Sequence, residues 1–241
     1  MPKDLFNASM KNSFSTHSQI AVVSSFADLI NTHFQGNENA RCWSRNLMGD
    51  FKEIVDRLHL KENITEVSCE DLLALQLSEQ GQRARETILN DIQLLTDFGA
   101  SPCLNLVQHY QRDDECDFIA TDVYSYHVDR SPIATDTFLC TYHGAASDIL
   151  PNDQAKQKIL IPELREKLKA LYDGPESGFD DFLAEYFFDL HYQPKPHAQP
   201  INLGNGHIWR LAVDHPMQQV VPCIHRAPIE NEDEYRLLLI C

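Results

Sequence analysis

Apolar residues recur at helical spacing through the first hundred positions and at strand spacing through much of the remainder. Phe26, Leu29, Ile30 and Phe34 follow Ser25, a residue type that caps helix N-termini. Phe51, Ile54, Val55 and Leu58 follow Asp50 with the same period, and Glu53 places an acid in the first turn. Ser68 opens a third run through Leu72, Leu73 and Leu75. A fourth carries Ile88, Leu89, Ile92 and Leu95 and stops at Gly99. Between the first two helices, residues 40–47 read as a short strand.

From about residue 102 the texture changes. Cys103–Tyr110 and Phe118–Val128 are rich in β-branched and aromatic residues, with Asp113-Asp114 as a turn between them. Thr137–Tyr142 and Lys158–Ile161 are further strand candidates. Two helices follow, Glu163–Tyr172 and Phe179–Tyr192, and Pro194, Pro196 and Pro200 then impose an extended segment. His207–Val213, Gln218–Ile224 and Tyr235–Cys241 close the chain as strands. No internal repeat is present.

Helices first, then six or seven strands around a helical insertion, predict an α+β protein: an antiparallel barrel or sandwich packed against helices. The expected organisation is a flexible segment over 1–20 and one domain over 21–241. Within it, 21–100 supplies helical support, and 101–241 supplies the β core with its insertion at 162–192. Only nine glycines occur and no Gly-rich phosphate loop follows a strand, which argues against a nucleotide-binding α/β fold.

Composition narrows the functional classes. The formal net charge of −16 repels nucleic acids and anionic membranes, so neither is an expected partner. The seven cysteines are irregularly spaced, with no Cys-x-x-Cys pair, which argues against a disulfide framework and a structural zinc knuckle. No N-terminal signal pattern and no long apolar run appears, so a soluble cytoplasmic protein is expected, with signal-less secretion left open.

The chemistry-bearing pattern is His127-Val128-Asp129, followed far downstream by His225 and then Arg236. Two imidazoles and one carboxylate make the facial triad that holds iron(II) with open coordination positions in oxygenases. An arginine suits a forked grip on a co-substrate carboxylate. The triplet alone carries little, since eleven His and twenty-one Asp in this chain give a His-x-Asp by chance about once. Context adds weight. His127 and Asp129 share a strand face at the start of a loop. His225 is read as the end of another strand, set beside the returning strand that carries Arg236. Arg236 is a lone charge in an apolar strand and needs an anion. The bland readings are a hydrogen-bonded core histidine at 225, a loop-capping Asp129, and an Arg236 paired with an acid of the 230–234 turn. His109 and His143 are alternative ligands without a mechanistic spacing.

The ordered series Tyr126–Pro132, Leu139–Gly144, Ile224–Pro228 and Tyr235–Leu239 resembles the uncharacterised bacterial family known as domain of unknown function 1826. The resemblance begins near Cys42-Trp43-Ser44-Arg45 and runs to the C-terminus. That family is similar in layout to the iron(II)/2-oxoglutarate oxygenases, whose fold is a double-stranded β-helix, a cupin-like jelly roll. The resemblance implies metal ligation by His127, Asp129 and His225, a grip on 2-oxoglutarate by Arg236 assisted by Tyr142, and a small-molecule or protein substrate. Two departures, Ala145-Ala-Ser-Asp148 and Arg130, fall beside the implied site. The family's link to zinc supply implies a second reading, a non-catalytic zinc-binding protein. An interaction module on a degenerate barrel is the third.

Overall fold

The computed structural model describes residues 17–113, 115–231 and 233–241. The protein is a mixed α+β structure in which two antiparallel-dominated sheets share a core and helices cover the outer face of the larger sheet. Most of the segment expected to be flexible, and Asp114 of the expected turn, lie outside the described residues.

The larger sheet has seven strands: β1 (Ile20–Val23), β2 (Ala40–Trp43), β3 (Ile64–Glu66), β4 (Cys103–Val107), β6 (Asp136–His143), β11 (Ile208–Ala212) and β13 (Arg236–Ile240). Their spatial order is β1-β2-β11-β6-β13-β4-β3. The smaller sheet has six: β5 (Tyr126–His127), β7 (Asp148–Ile149), β8 (Ala155–Gln157), β9 (His191–Pro194), β10 (Ile201–Asn202) and β12 (His225–Arg226). They run in the order β10-β7-β12-β5-β9-β8.

Strand alternation decides which side chains meet. On β6 and β13, Phe138, Cys140, Tyr142, Leu237 and Leu239 face the helices. Leu139 and Leu238 face the other way and pack with Trp209, Leu211, Ile149 and Cys223 between the sheets.

Four helices build the outer layer: α1 (Phe26–Asn31), α2 (Phe51–Arg57), α3 (Cys69–Ala74) and α4 (Glu79–Phe98). The expected caps are present. Ser25 and Asp50 accept from the N–H groups of Asp28 and Glu53, and Ser68 forms a reciprocal capping box with Asp71. Gly99 ends α4 in the left-handed conformation, φ 97°. Two more helices, α5 (Pro162–Lys169) and α6 (Phe179–Glu185), form the insertion.

Several expected elements differ. Lys158–Leu160 is a 3-10 turn rather than a strand. The long strand expected over 118–128 reduces to β5, because the Asp122 carboxylate takes the N–H groups of Tyr124 and Ser125 and folds the chain ahead of it. Residues 218–224 are irregular, with Pro216 just before the stretch and Pro222 inside it each lacking a backbone donor, so His225 begins a strand instead of ending one. The helix expected over 179–192 stops at Glu185. Phe187 turns left-handed at φ 59°, and the chain passes through a 3-10 turn into β9. His225 and Arg236 do not sit on neighbouring strands; β12 and β13 belong to opposite sheets.

A buried ion pair fastens α4 of the helical layer to the larger sheet. Asp91, on the inward face of α4, is fully buried. Its carboxylate takes two hydrogen bonds from Arg45, at 2.6 and 2.8 Å, and one from the Tyr142 hydroxyl at 2.7 Å. Removing one member of such a set strands the other charge in the core. Asp91→Ala should lower the free energy of unfolding by about 3–5 kcal/mol, read from denaturant midpoints, with a smaller loss for Tyr142→Phe.

Candidate metal centre

Backbone pairing in the smaller sheet brings three histidines into one row. His225 of β12 pairs with His127 of β5, and His127 pairs on its other side with His191 of β9. Directly opposed residues of antiparallel strands present their side chains to the same face. The His127 and His225 rings stand 4.7 Å apart and the His127 and His191 rings 5.8 Å apart, centre to centre.

Asp129, two residues beyond His127, completes the triad. Its Oδ1 lies 3.7 Å from His127 Nε2 and its Oδ2 lies 3.6 Å from His225 Nε2. One donor atom from each of the three residues falls within 4.8 Å of the others. Metal bonds of about 2.0–2.2 Å are met by small side-chain adjustments from this arrangement.

The tautomers suit ligation. His127 Nδ1 is 2.8 Å from the Ser125 carbonyl, and His225 Nδ1 is 3.2 Å from the Cys223 carbonyl. A carbonyl only accepts, so each Nδ1 carries the proton and each Nε2 keeps its lone pair for a metal. Both rings use the carbonyl two residues upstream. Burial, followed by the neighbouring His225, depresses the His127 pKa to about 4 and keeps the ring neutral. For Asp129, burial works against the charge, but His225, the Thr137 hydroxyl and His127 outweigh it and hold the pKa below the ordinary value. The Thr137 hydroxyl donates to Asp129 Oδ2 from β6 across the space between the sheets. Arg130 anchors the loop after Asp129 by pairing with both Asp189 and Asp214.

Arg236 is 2% exposed. It shares the inter-sheet face of β13 with Leu238. Its Nε and Nη2 donate to Thr141 Oγ1 at 3.3 and 3.0 Å, and Nη2 also donates to Ser147 Oγ at 2.9 Å. Among the described residues, Nη1 meets only the Tyr110 hydroxyl, at 3.4 Å. Every partner is neutral, and no described carboxylate lies within ion-pair reach. Of the acids in the 230–234 turn, Glu230 accepts from the Tyr124 hydroxyl at 2.8 Å and reaches Arg236 only through its longer-range charge. Burial lowers the guanidinium pKa, as for a cation short of counter-charge. Ser147 lies two residues before Ile149, the cross-strand partner of His225. Arg236 is thereby linked through Ser147 to the strand that pairs with His225.

Tyr142 does not assist Arg236. The alternation of β6 turns it to the helical side, where it stacks on Phe51 at 5.4 Å and donates to Asp91. Thr141, its neighbour, takes that place. His143 pairs with Glu234 at 3.4 Å, away from the triad. Thr137, Thr141, Ser147 and His191 were not visible as site residues in the sequence. The alternation of Thr137, Leu139 and Thr141 with Phe138, Cys140 and Tyr142 was the available signal for the threonines; nothing local marked His191.

No family model, no curated protein and no solved structure matches this chain. Among the described residues, no helix is long and apolar enough to cross a membrane.

Two measurements follow from this geometry. Thr137→Val removes the hydroxyl that orients Asp129 and should weaken divalent-metal affinity by about 10–100-fold, read by competition with a chelating dye. In the metal-free protein, His127 and His191 have pKa values depressed to about 4 and about 3. Between those values and about 6.5 the unfolded chain binds the extra protons. Stability should therefore be full above pH ~6.5 and fall on acidification through that window. Urea midpoints against pH would show the fall, and His191→Leu should make it shallower.

Proposed function

We propose that the protein is an iron(II)- and 2-oxoglutarate-dependent oxygenase whose two sheets form a double-stranded β-helix core. The observation that carries this reading is the presence between the two sheets of the His127/Asp129/His225 triad and of the buried Arg236 guanidinium, whose hydrogen-bond partners are all neutral. A dicarboxylate co-substrate would be held at one end by the metal on the triad and at the other by Arg236.

The donor set fits the metal. Two imidazoles present Nε2, one carboxylate is held by Thr137, and three ligands leave positions for co-substrate and oxygen. The acceptor set around Arg236 fits the co-substrate. Thr141, Ser147 and Tyr110 hold the guanidinium in place without neutralising it, so a carboxylate entering there gains a charge-assisted bond in a low-dielectric setting. When bound, the metal and 2-oxoglutarate would supply the oxygen-activating chemistry. The chain's own residues would orient the ligands and fix the co-substrate's far end, and Leu139, Leu238 and Trp209, packed between the sheets, keep the surroundings apolar.

A zinc-holding role is the second reading, favoured by the same triad, since three protein ligands with one open position also suit zinc. The readings separate in one experiment. Anaerobic addition of iron(II) and 2-oxoglutarate should give a weak visible charge-transfer band, and admission of oxygen should yield succinate. Arg236→Leu should weaken 2-oxoglutarate binding by about 30-fold or more with metal binding retained, whereas His127→Ala should abolish metal binding. Zinc bound in stoichiometric amount, with no succinate formed on adding iron, would establish the second reading instead.

A further inference from the structure

His191 stands in the same row as the two candidate ligands, yet it is outside the triad. Its hydrogen bonding explains the difference. Lys158 Nζ donates to the Ala120 carbonyl at 2.9 Å and to Ser125 Oγ at 2.8 Å. Ser125 Oγ lies 3.0 Å from His191 Nδ1. The serine hydroxyl already accepts from the lysine, and among the described residues its own hydrogen has one acceptor, His191 Nδ1. That nitrogen is therefore unprotonated, and the ring's proton resides on Nε2.

The three imidazoles are thus sorted by what faces Nδ1. A carbonyl faces it in His127 and His225 and leaves Nε2 as a lone pair. A lysine-oriented hydroxyl faces it in His191 and makes Nε2 a donor. His191 is 4% exposed, and no described residue takes a hydrogen bond from its Nε2. The pairing with His127 puts the His191 ring on the same face of the small sheet, 5.8 Å from the His127 ring, centre to centre.

We propose that His191 is a hydrogen-bond donor to an oxygen- or nitrogen-bearing anionic ligand on the triad metal, and that Lys158 and Ser125 form the relay that fixes it in this form. The proposal rests on the triad being a metal site, but it does not require 2-oxoglutarate. A donor beside an open coordination position stabilises negative charge on whatever binds there. It also keeps the third imidazole from competing for the metal, which would fill a position that the co-ligand needs.

The test uses the full chain. Long-range proton–nitrogen correlation of the imidazoles in the metal-free protein should show Nδ1–H for His127 and His225 and Nε2–H for His191. Lys158→Met, which cuts the relay at its far end, should move part of the His191 population to Nδ1–H. Cobalt(II)-loaded protein is then titrated with azide. His191→Leu should weaken azide binding by about tenfold with cobalt affinity unchanged. His191→Gln, whose amide N–H replaces the ring donor, should stay within about threefold of the parent. A proton on Nδ1 of His191, an unchanged tautomer in Lys158→Met, or azide affinity indifferent to His191→Leu would each overturn the proposal. So would a His191→Leu change in the cobalt spectrum before azide is added, which would make His191 a ligand. Failure of cobalt to bind the parent chain sinks both this proposal and the metal reading. Normal azide results with no 2-oxoglutarate binding sink the oxygenase reading alone.

Discussion

The backbone pairing of His225 with His127 is the contact on which the rest of the site depends. It brings together two segments far apart in the chain and places their rings 4.7 Å apart, centre to centre. Antiparallel geometry then removes most of the freedom: opposed residues must share a face, and the next inward position is two residues away. Asp129 and Ser125 flank His127, Ile149 flanks His225, and Ser147 follows Ile149 toward Arg236. A shift of one residue in this register would send the imidazoles to the outer face of the small sheet. No adjustment of side chains could then restore the cluster.

The larger sheet supplies the opposing wall, and the threonines of β6 couple the two. Thr137 reaches Asp129, and Thr141 reaches Arg236, so one strand holds the acid at one end of the inter-sheet space and the guanidinium at the other. The strand itself is kept in place from behind. Tyr142 ties it to Asp91, and Asp91 ties α4 to Arg45. The helical layer is therefore mechanically connected to the site without contributing a ligand. Burying a charged pair is costly in itself. Here three donors converge on Asp91, which is the arrangement that makes such a pair sustainable.

Much of the helical half could be read from the sequence, because caps and the 3.6-residue period are local signals. Ser25, Asp50, Ser68 and Gly99 all occupy the ends that their chemistry indicates. The triad residues were named from the sequence as well, but His-x-Asp alone was no better than chance, and His225 and Arg236 joined it through context and the family resemblance. The small sheet was not legible. Its strands β5, β7, β10 and β12 are each two residues long. Such segments have no periodicity of their own and exist only through partners distant in the chain. The same holds for the placement of β12 and β13 in opposite sheets and for the turn of Tyr142 away from Arg236. Both follow from pairings that no local window contains. His191 was hidden for a different reason: it follows an aromatic run that reads as helix until Phe187 breaks it at φ 59°.

The brevity of those strands has a thermodynamic consequence. A sheet built from two-residue pieces has few ladder bonds, and such regions open at a lower free energy than the large sheet and its helices. Any ion that bridges β5 to β12 joins the two segments whose pairing creates the cluster. Occupancy and local order are then linked by mass action. An ion held there would add to the order of the small sheet while the larger sheet and its helices keep their own packing.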